Sequence, residues 1–325
     1  MNRLYELQNQ KKIKTINQAV IIDDEELVID FLNSPKINKK HFKSALINAI
    51  NYDRESLFYL LFNFNKENEI VKNNEIFFNL ISTACIENQV KFLEFLKNNL
   101  SLKSLLLEYK HTENFDCVKD LLHLSIQNNS LEALQFLLTD NNEMIKQVLN
   151  HKTSALTYNN TVRKLFRVSC SISKITIVKY LFEFNVVKLY QDNSFFFHTL
   201  EDSIVYNKFN TCKFIYKKII LSNEDIVKLI QLSIQYKSYN FFKFLLKENP
   251  QTTLDYEEIT KSICYLVSKL SENYKTKCEK AIQFIEYLIK NNIYFKFSEA
   301  LNHTEDKYVK NKLTILFTQQ KIQGF

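Results

Sequence analysis

The chain of 325 residues contains a single glycine, Gly324, and this removes more architectures than any other feature of the sequence. Backbone that must cradle a phosphate or pass through positive φ without steric cost uses glycine. A P-loop, a dinucleotide fingerprint and the nucleophile elbow of a hydrolase therefore have no residues to be built from. Tight β-hairpins lean on glycine at their central positions as well, which argues against a β-rich fold. Prolines are limited to Pro35 and Pro250. Long helices with polar connections remain. With 46% hydrophobic and 24% charged residues, the chain can bury a core.

A unit recurs along the chain. It consists of two apolar residues around a small anchor, followed nine to thirteen positions later by an aromatic-aliphatic cluster. The anchors are Ala19, Ala49, Ala84, Ser125, Ser169, Ser203, Ser233 and Val267, separated by 30, 35, 41, 44, 34, 30 and 34 residues. Three positions before them stand Leu46, Ile81, Leu122, Phe166, Leu200, Ile230 and Cys264, and one position after stand Val20, Ile50, Cys85, Ile126, Cys170, Ile204 and Ile234. Those offsets share one helical face. Val28, Phe58, Leu93, Leu134, Val178, Cys212 and Phe242 fall nine after, and Phe31, Leu61, Leu96, Leu137, Leu181, Ile215 and Leu245 twelve after. Position eleven is mostly large: Leu60, Phe95, Phe136, Tyr180, Phe214 and Phe244. Each unit is thus predicted to be a helix–turn–helix hairpin. The eighth keeps register only with an insertion around Ser271 to Lys277, which returns Ile282, Phe284 and Ile285 to their places.

This spacing resembles the ankyrin repeat, most clearly in Leu122-His123-Leu124-Ser125-Ile126 leading to Leu134, Phe136, Leu137 and Leu138. The resemblance spans roughly residues 16 to 290. It implies an all-α solenoid of stacked hairpins, in which a lone hairpin exposes half of its apolar face until its neighbour arrives. The family's inter-helix glycine is replaced by Asp23, Asp53, Asn88, Asn129, Ser173, Asn207 and Lys237. Asn and Asp tolerate the left-handed conformation best after glycine, so most of these turns are expected to survive. The Thr-Pro opening and the Asp-Gly finger signature are missing, so β-hairpin fingers are expected to be reduced or absent. Residues 1–15 are read as an N-terminal cap or tail, 16–290 as about eight repeats, and 291–325 as C-terminal capping helices. The last pair is signalled by Phe297, Ala300 and Leu301 and then Val309, Leu313 and Leu316.

No catalytic or metal-binding constellation emerges, and no cofactor is expected. The six histidines are scattered. His111-Thr112-Glu113 and His303-Thr304-Glu305 match half of a zinc-deaminase signature, but the partnering Cys pair is missing. Cys85, Cys170, Cys212 and Cys264 occupy core positions, whereas Cys117 and Cys278 lie outside the frame and could be exposed thiols. Asp23-Asp24-Glu25-Glu26 suits a helix start, where negative charge meets the dipole. The first residues carry Arg3, Lys11, Lys12 and Lys14 and no apolar run, so no secretory signal is expected. No transmembrane segment is expected either, which suggests an intracellular, cytoplasmic protein.

A formal charge of +7 is spread over 43 basic and 36 acidic side chains, short of the stripe a nucleic-acid binder concentrates. Lysines still cluster at Lys36, Lys39, Lys40 and Lys43, at Lys213, Lys217 and Lys218, and at Lys275, Lys277 and Lys280. They keep open an alternative, a basic helical solenoid that binds nucleic acid or an anionic membrane surface. The leading expectation is a non-enzymatic, monomeric scaffold for a protein partner of unknown identity. The resemblance implies a concave contact face, which the positions just after each anchor would line. Tyr52, Glu87, Asn128, Ile172, Tyr206 and Tyr236 are the residues expected to touch the partner, with tyrosine as a rigid interface anchor.

Overall fold

A computed structural model describes residues 14–34, 37–68, 74–100, 117–141, 156–184, 193–270, 275–291, 293 and 295–322. Every regular element among them is helical. None of these helices is long and apolar enough to cross a membrane. The chain divides into two compact units, Met1–Leu165 and Phe166–Phe325.

In the first unit α1 (Ile16–Ile21) folds back on α2 (Glu25–Leu32), α3 (Lys39–Asn51) on α4 (Glu55–Asn68), and α5 (Asn74–Ile86) on α6 (Val90–Asn99). A fourth pair is α7 (Cys117–Gln127) with α8 (Leu131–Gln135), which widens into a π-turn at Phe136–Asp140. The leading helices α1, α3, α5 and α7 pack in succession. The division falls within α9 (Leu156–Ile172), and α10 (Ile175–Phe184) follows in the second unit. There α11 (Asn193–Val205) pairs with α12 (Phe209–Tyr216), α13 (Asn223–Gln235) with α14 (Tyr239–Glu248), and α15 (Tyr256–Ser268) with α16 (Lys275–Lys290). The pair α17 (Phe297–Asn302) and α18 (Lys307–Ile322) ends the stack. Here too the leading helices α11, α13, α15 and α17 form one layer, and α10, α12 and α14 pack behind them.

The anchors explain the spacing of that layer. All eight are fully buried, and a small side chain lets neighbouring leading helices approach. The four serines among them can be buried because each hydroxyl donates to a carbonyl of its own helix: Ser125 to Leu121, Ser169 to Phe166, Ser203 to Thr199 and Ser233 to Leu229.

The turns are built on the same residue. Asp23, Asp53, Asn88, Asn129, Asn207 and Lys237 all have φ between 54° and 62°. The amide of the residue immediately before the second helix then donates back to the anchor carbonyl. Examples are Arg54 N to Ala49 O at 2.7 Å, Ser130 N to Ser125 O at 2.8 Å and Lys208 N to Ser203 O at 2.8 Å. This is the Schellman closure, and it needs a residue able to enter the left-handed region. Ser173, the seventh candidate, does not enter it. Serine gains too little there, so α9 ends with Ser173 N still donating to Ser169 O, and Lys174 leads directly into α10.

A second device links four of the turns to the neighbouring hairpin. The residue five after the anchor reaches back one unit: the Arg54 guanidinium to Asp23 at 3.1 Å, the Ser130 hydroxyl to Ile86 O at 2.8 Å, and the Ser238 hydroxyl to Ile204 O at 2.6 Å. At the turn without a left-handed residue, Lys208 Nζ donates to Ile172 O at 2.9 Å. The turn side chains reach forward in the same way. Asp53 pairs with Lys91 at 2.6 Å and raises the pKa of that ammonium, and Asn88 Oδ1 accepts from Ala133 N at 3.0 Å. Asx residues therefore supply the turn conformation and a bridge together.

Positions nine and twelve are buried except Phe31, which is half-buried in the first hairpin. Position eleven is mostly half-buried, as at Leu60, Phe95, Tyr180 and Phe214. Position eight carries the missing part of the stripe: Leu27, Leu57, Phe92, Ala133, Ile177, Thr211 and Phe241 are all buried. Ile282, Phe284 and Ile285 are buried as the inserted register requires, with α16 beginning at Lys275. The segment Ser271 to Tyr274 of that insertion lies outside the described residues. Rings continue the stack from hairpin to hairpin, with Phe58 edge-on to Phe92 at 5.0 Å and Phe242 edge-on to Phe284 at 5.0 Å.

Candidate functional site

Each of the six expected contact residues sits at the end of a leading helix, directly before the turn residue. The helix-ending backbone is largely spent on turn closure, so what these positions offer a ligand is side chain. In the first unit Tyr52 caps α3 and is 48% exposed, while Glu87 and Asn128 are also exposed. The Asn128 amide donates to Leu124 O at 2.9 Å. In the second unit Tyr206 is 59% exposed. Ile172 and Tyr236 are half-buried, which differs from the open position their spacing suggested. Ile172 is drawn in where the chain passes from α9 to α10 without a left-handed turn. Tyr236 is partly covered by Tyr265, with ring centroids 6.0 Å apart, and the neighbouring Tyr265 phenol raises the Tyr236 pKa.

Beside Tyr236 lies a cleft of about 880 Å³. Its walls come from the turn ends of α11, α13 and α15, the start of α14 and the exposed side of α16. Tyr236, Tyr239, Tyr265 and Phe284 give it an aromatic lining, and Lys237, Lys269 and Lys280 bring three ammonium groups. Lys269 Nζ lies 5.5 Å from the Tyr265 ring centroid. Asn207, Asn240 and Gln283 add carboxamides. Tyr265, Lys269 and Asn240 were not among the expected contacts. Lys269 stands two after Val267, so carrying the anchor frame into the eighth unit would have found it. The other two reach the cleft from positions outside that frame.

The remaining reactive groups are placed as follows. Cys85, Cys170, Cys212 and Cys264 are buried, unbridged thiols, and burial pushes the Cys85 thiol up to about 12. Cys278 is fully buried and so is not the exposed thiol its position allowed. The Cys117 side chain lies outside the described residues. His198 Nδ1 sits 2.7 Å from Glu201 on an exposed helix face. Thr304 of the His303-Thr304-Glu305 run is buried and accepts from Asp306 N, so this run forms the turn before α18. His111-Thr112-Glu113 lies outside the described residues. Asp24 caps α2 by accepting from Leu27 N at 3.0 Å, as the acidic run predicted. Among the described residues no group of three or more His, Cys, Asp or Glu side chains could hold a metal ion. Of the lysine clusters, Lys213 and Lys218 lie over the rings of Phe244 and Phe214, and Lys280 turns into the cleft.

Comparison with protein-family models, with curated proteins and with solved structures gave no significant match.

Proposed function

We propose that the protein is a non-enzymatic interaction scaffold, an α-solenoid of ankyrin-like hairpins that binds a protein partner through the turn ends of its leading helices. The observation that carries this reading is the repeated presentation of a side chain at one structural position, with a large exposed tyrosine in each unit, Tyr52 and Tyr206. The surrounding main-chain groups are consumed by turn closure. A stack of similar hairpins that vary in the side chain presented at this position suits recognition by side-chain identity. Tyrosine supplies large, amphipathic area with few rotors to immobilise.

The test compares the wild type with a Tyr52→Ala/Tyr206→Ala/Tyr236→Ala variant, first in affinity capture and then with the purified captured partner. Interface tyrosines of this kind are each worth upward of about 1 kcal/mol, so the triple change is expected to weaken the complex by ~100-fold or more. Circular dichroism should stay unchanged. Equal partner affinity for the two proteins contradicts the reading. So does a hydrolase or transferase activity of the isolated chain that one substitution abolishes.

A further inference from the structure

We propose that the cleft between the turn ends of α13 and α15 and the exposed side of α16 takes an extended acidic segment of a partner protein. Its carboxylates would be held by Lys237, Lys269 and Lys280, and its apolar side chains would lie against Tyr236 and Tyr265. The inference rests on the partner-binding reading and gives the ligand its chemistry.

Size comes first. At about 880 Å³ the cleft falls in the upper part of the range of ligand sites, ~300–1,000 Å³. Its electrostatics are one-sided, because three ammonium groups line it and no carboxylate does among the described residues. Elsewhere in the same unit Lys261 pairs with Glu258 at 2.7 Å, Lys296 with Glu299 at 3.1 Å, and Arg167 with Asp202. Lys269 and Lys280 form no ion pair among the described residues, and the contact of Lys269 is with the face of Tyr265. Like charges gathered in a concave, low-dielectric wall repel one another and are relieved by an incoming anion.

Further donors converge on the same space. Tyr239 and Asn240 are the first two residues of α14, and that helix starts without a side-chain cap because the Ser238 hydroxyl donates to Ile204 O instead. A ten-residue helix with an uncapped start favours a negative group at its first turn. The aromatic walls are held in place before any ligand arrives. Tyr239 packs edge-on to Phe284 at 5.4 Å and to Tyr287 at 5.0 Å, and the Tyr236 and Tyr265 rings lie against each other with centroids 6.0 Å apart. A rigid aromatic and ammonium surface of this kind fits a chain that alternates carboxylates with apolar side chains. A polynucleotide would need a continuous basic track for its phosphates. The exposed side of α16 instead interleaves Glu279 and Glu286 with Lys280 and Lys290.

The experiment uses fluorescence anisotropy of the full chain with a labelled decapeptide of alternating glutamate and leucine. The same peptide with glutamine for glutamate serves as control. The wild type is expected to bind the acidic peptide saturably and at least ~10-fold more tightly than the glutamine peptide. Lys269→Glu/Lys280→Glu should abolish binding and Lys269→Gln/Lys280→Gln should weaken it, with circular dichroism verifying that each variant is folded. Ile220→Ala, an exposed position outside the cleft lining, should leave it unchanged. Absence of peptide binding, equal affinity for the glutamine peptide, or unchanged binding by the Lys269→Glu/Lys280→Glu variant overturns the assignment. So does tighter binding, through the same lysines, of a single-stranded oligonucleotide or of phosphatidylserine vesicles. If the peptide fails while the triple tyrosine variant still loses its partner, the cleft assignment falls and the scaffold reading stands. If the peptide binds and a Tyr52→Ala/Tyr206→Ala variant, which leaves the cleft walls intact, keeps its partner, the cleft assignment stands and the contact role of those two tyrosines falls.

Discussion

Replacing Leu245 by aspartate is expected to unfold much of the second unit. Leu245 lies at position twelve of the second helix of its hairpin and is fully buried. The substitution forfeits ~1.5–3 kcal/mol of apolar burial and also confines a carboxyl group where nothing in the helix pattern supplies a donor. A total above about 4 kcal/mol places it among the severe single changes. For a unit of this size each kcal/mol moves the midpoint by ~2–4 °C, so the thermal transition should fall by about 10 °C or more, or the protein should become insoluble. Ile220→Asp is the matched control, since Ile220 is 87% exposed, and its midpoint should move by less than ~2 °C. Equal effects of the two changes would mean that position twelve is not a buried seam.

Phe58→Ala should produce a loss of comparable size in the first unit. Phe58 is fully buried at position nine of its hairpin. Its ring meets Phe92 at 5.0 Å, Phe95 at 5.7 Å and Phe62 at 5.9 Å, so it joins α4 to the following hairpin as well as to its own helix. Truncating a buried phenylalanine costs ~3–5 kcal/mol, and each lost aromatic pair adds up to ~0.5–1.5 kcal/mol. The expected signature in denaturant is a lower midpoint for the unit that contains Phe58. Phe58→Leu should recover about half the loss, because it restores volume without the ring edges. If alanine and leucine behave alike, the pairing of Phe58 with Phe92 carries no weight. If alanine costs under ~1 kcal/mol, the residue is not at the joint between hairpins.

The hairpins were legible because their determinants are local. A helical face is spelled out within about twelve residues, and the small anchor is required wherever two leading helices approach. The choice of Asp or Asn at Asp23, Asp53, Asn88, Asn129 and Asn207 announced a left-handed residue, and the backbone has one at each. What stayed hidden depends on the neighbouring repeat. The reach of Ser238 to Ile204 O spans 34 residues, and Ser130 to Ile86 O spans 44, so position five looks like an ordinary helix start until the repeats are stacked. Position eight was passed over for a related reason. Its residues range from Ala133 to Phe92, and only their common burial relates them. The division between Leu165 and Phe166 falls inside the longest anchor separation, 44 residues from Ser125 to Ser169, and the spacing by itself marks no boundary there. Of the candidate site, the end-of-helix position was visible, whereas the cleft beside Tyr236 needed four successive helices to be placed before Lys237, Lys269 and Lys280 could be seen to share it.

The whole account depends on hairpins set in register by left-handed turns, and the sign of one free-energy difference tests that. Glycine and alanine would be introduced in separate variants at Asn207, where φ is 54°, and at Ser173, which is not left-handed, and their unfolding free energies compared. In a left-handed turn glycine is favoured over alanine by roughly 1 kcal/mol, and in right-handed backbone the order reverses. The glycine variant is therefore expected to be the more stable at Asn207 and the alanine variant at Ser173. Alanine more stable than glycine at Asn207 would contradict the turn, and with it the register on which the stack and its proposed binding face are built.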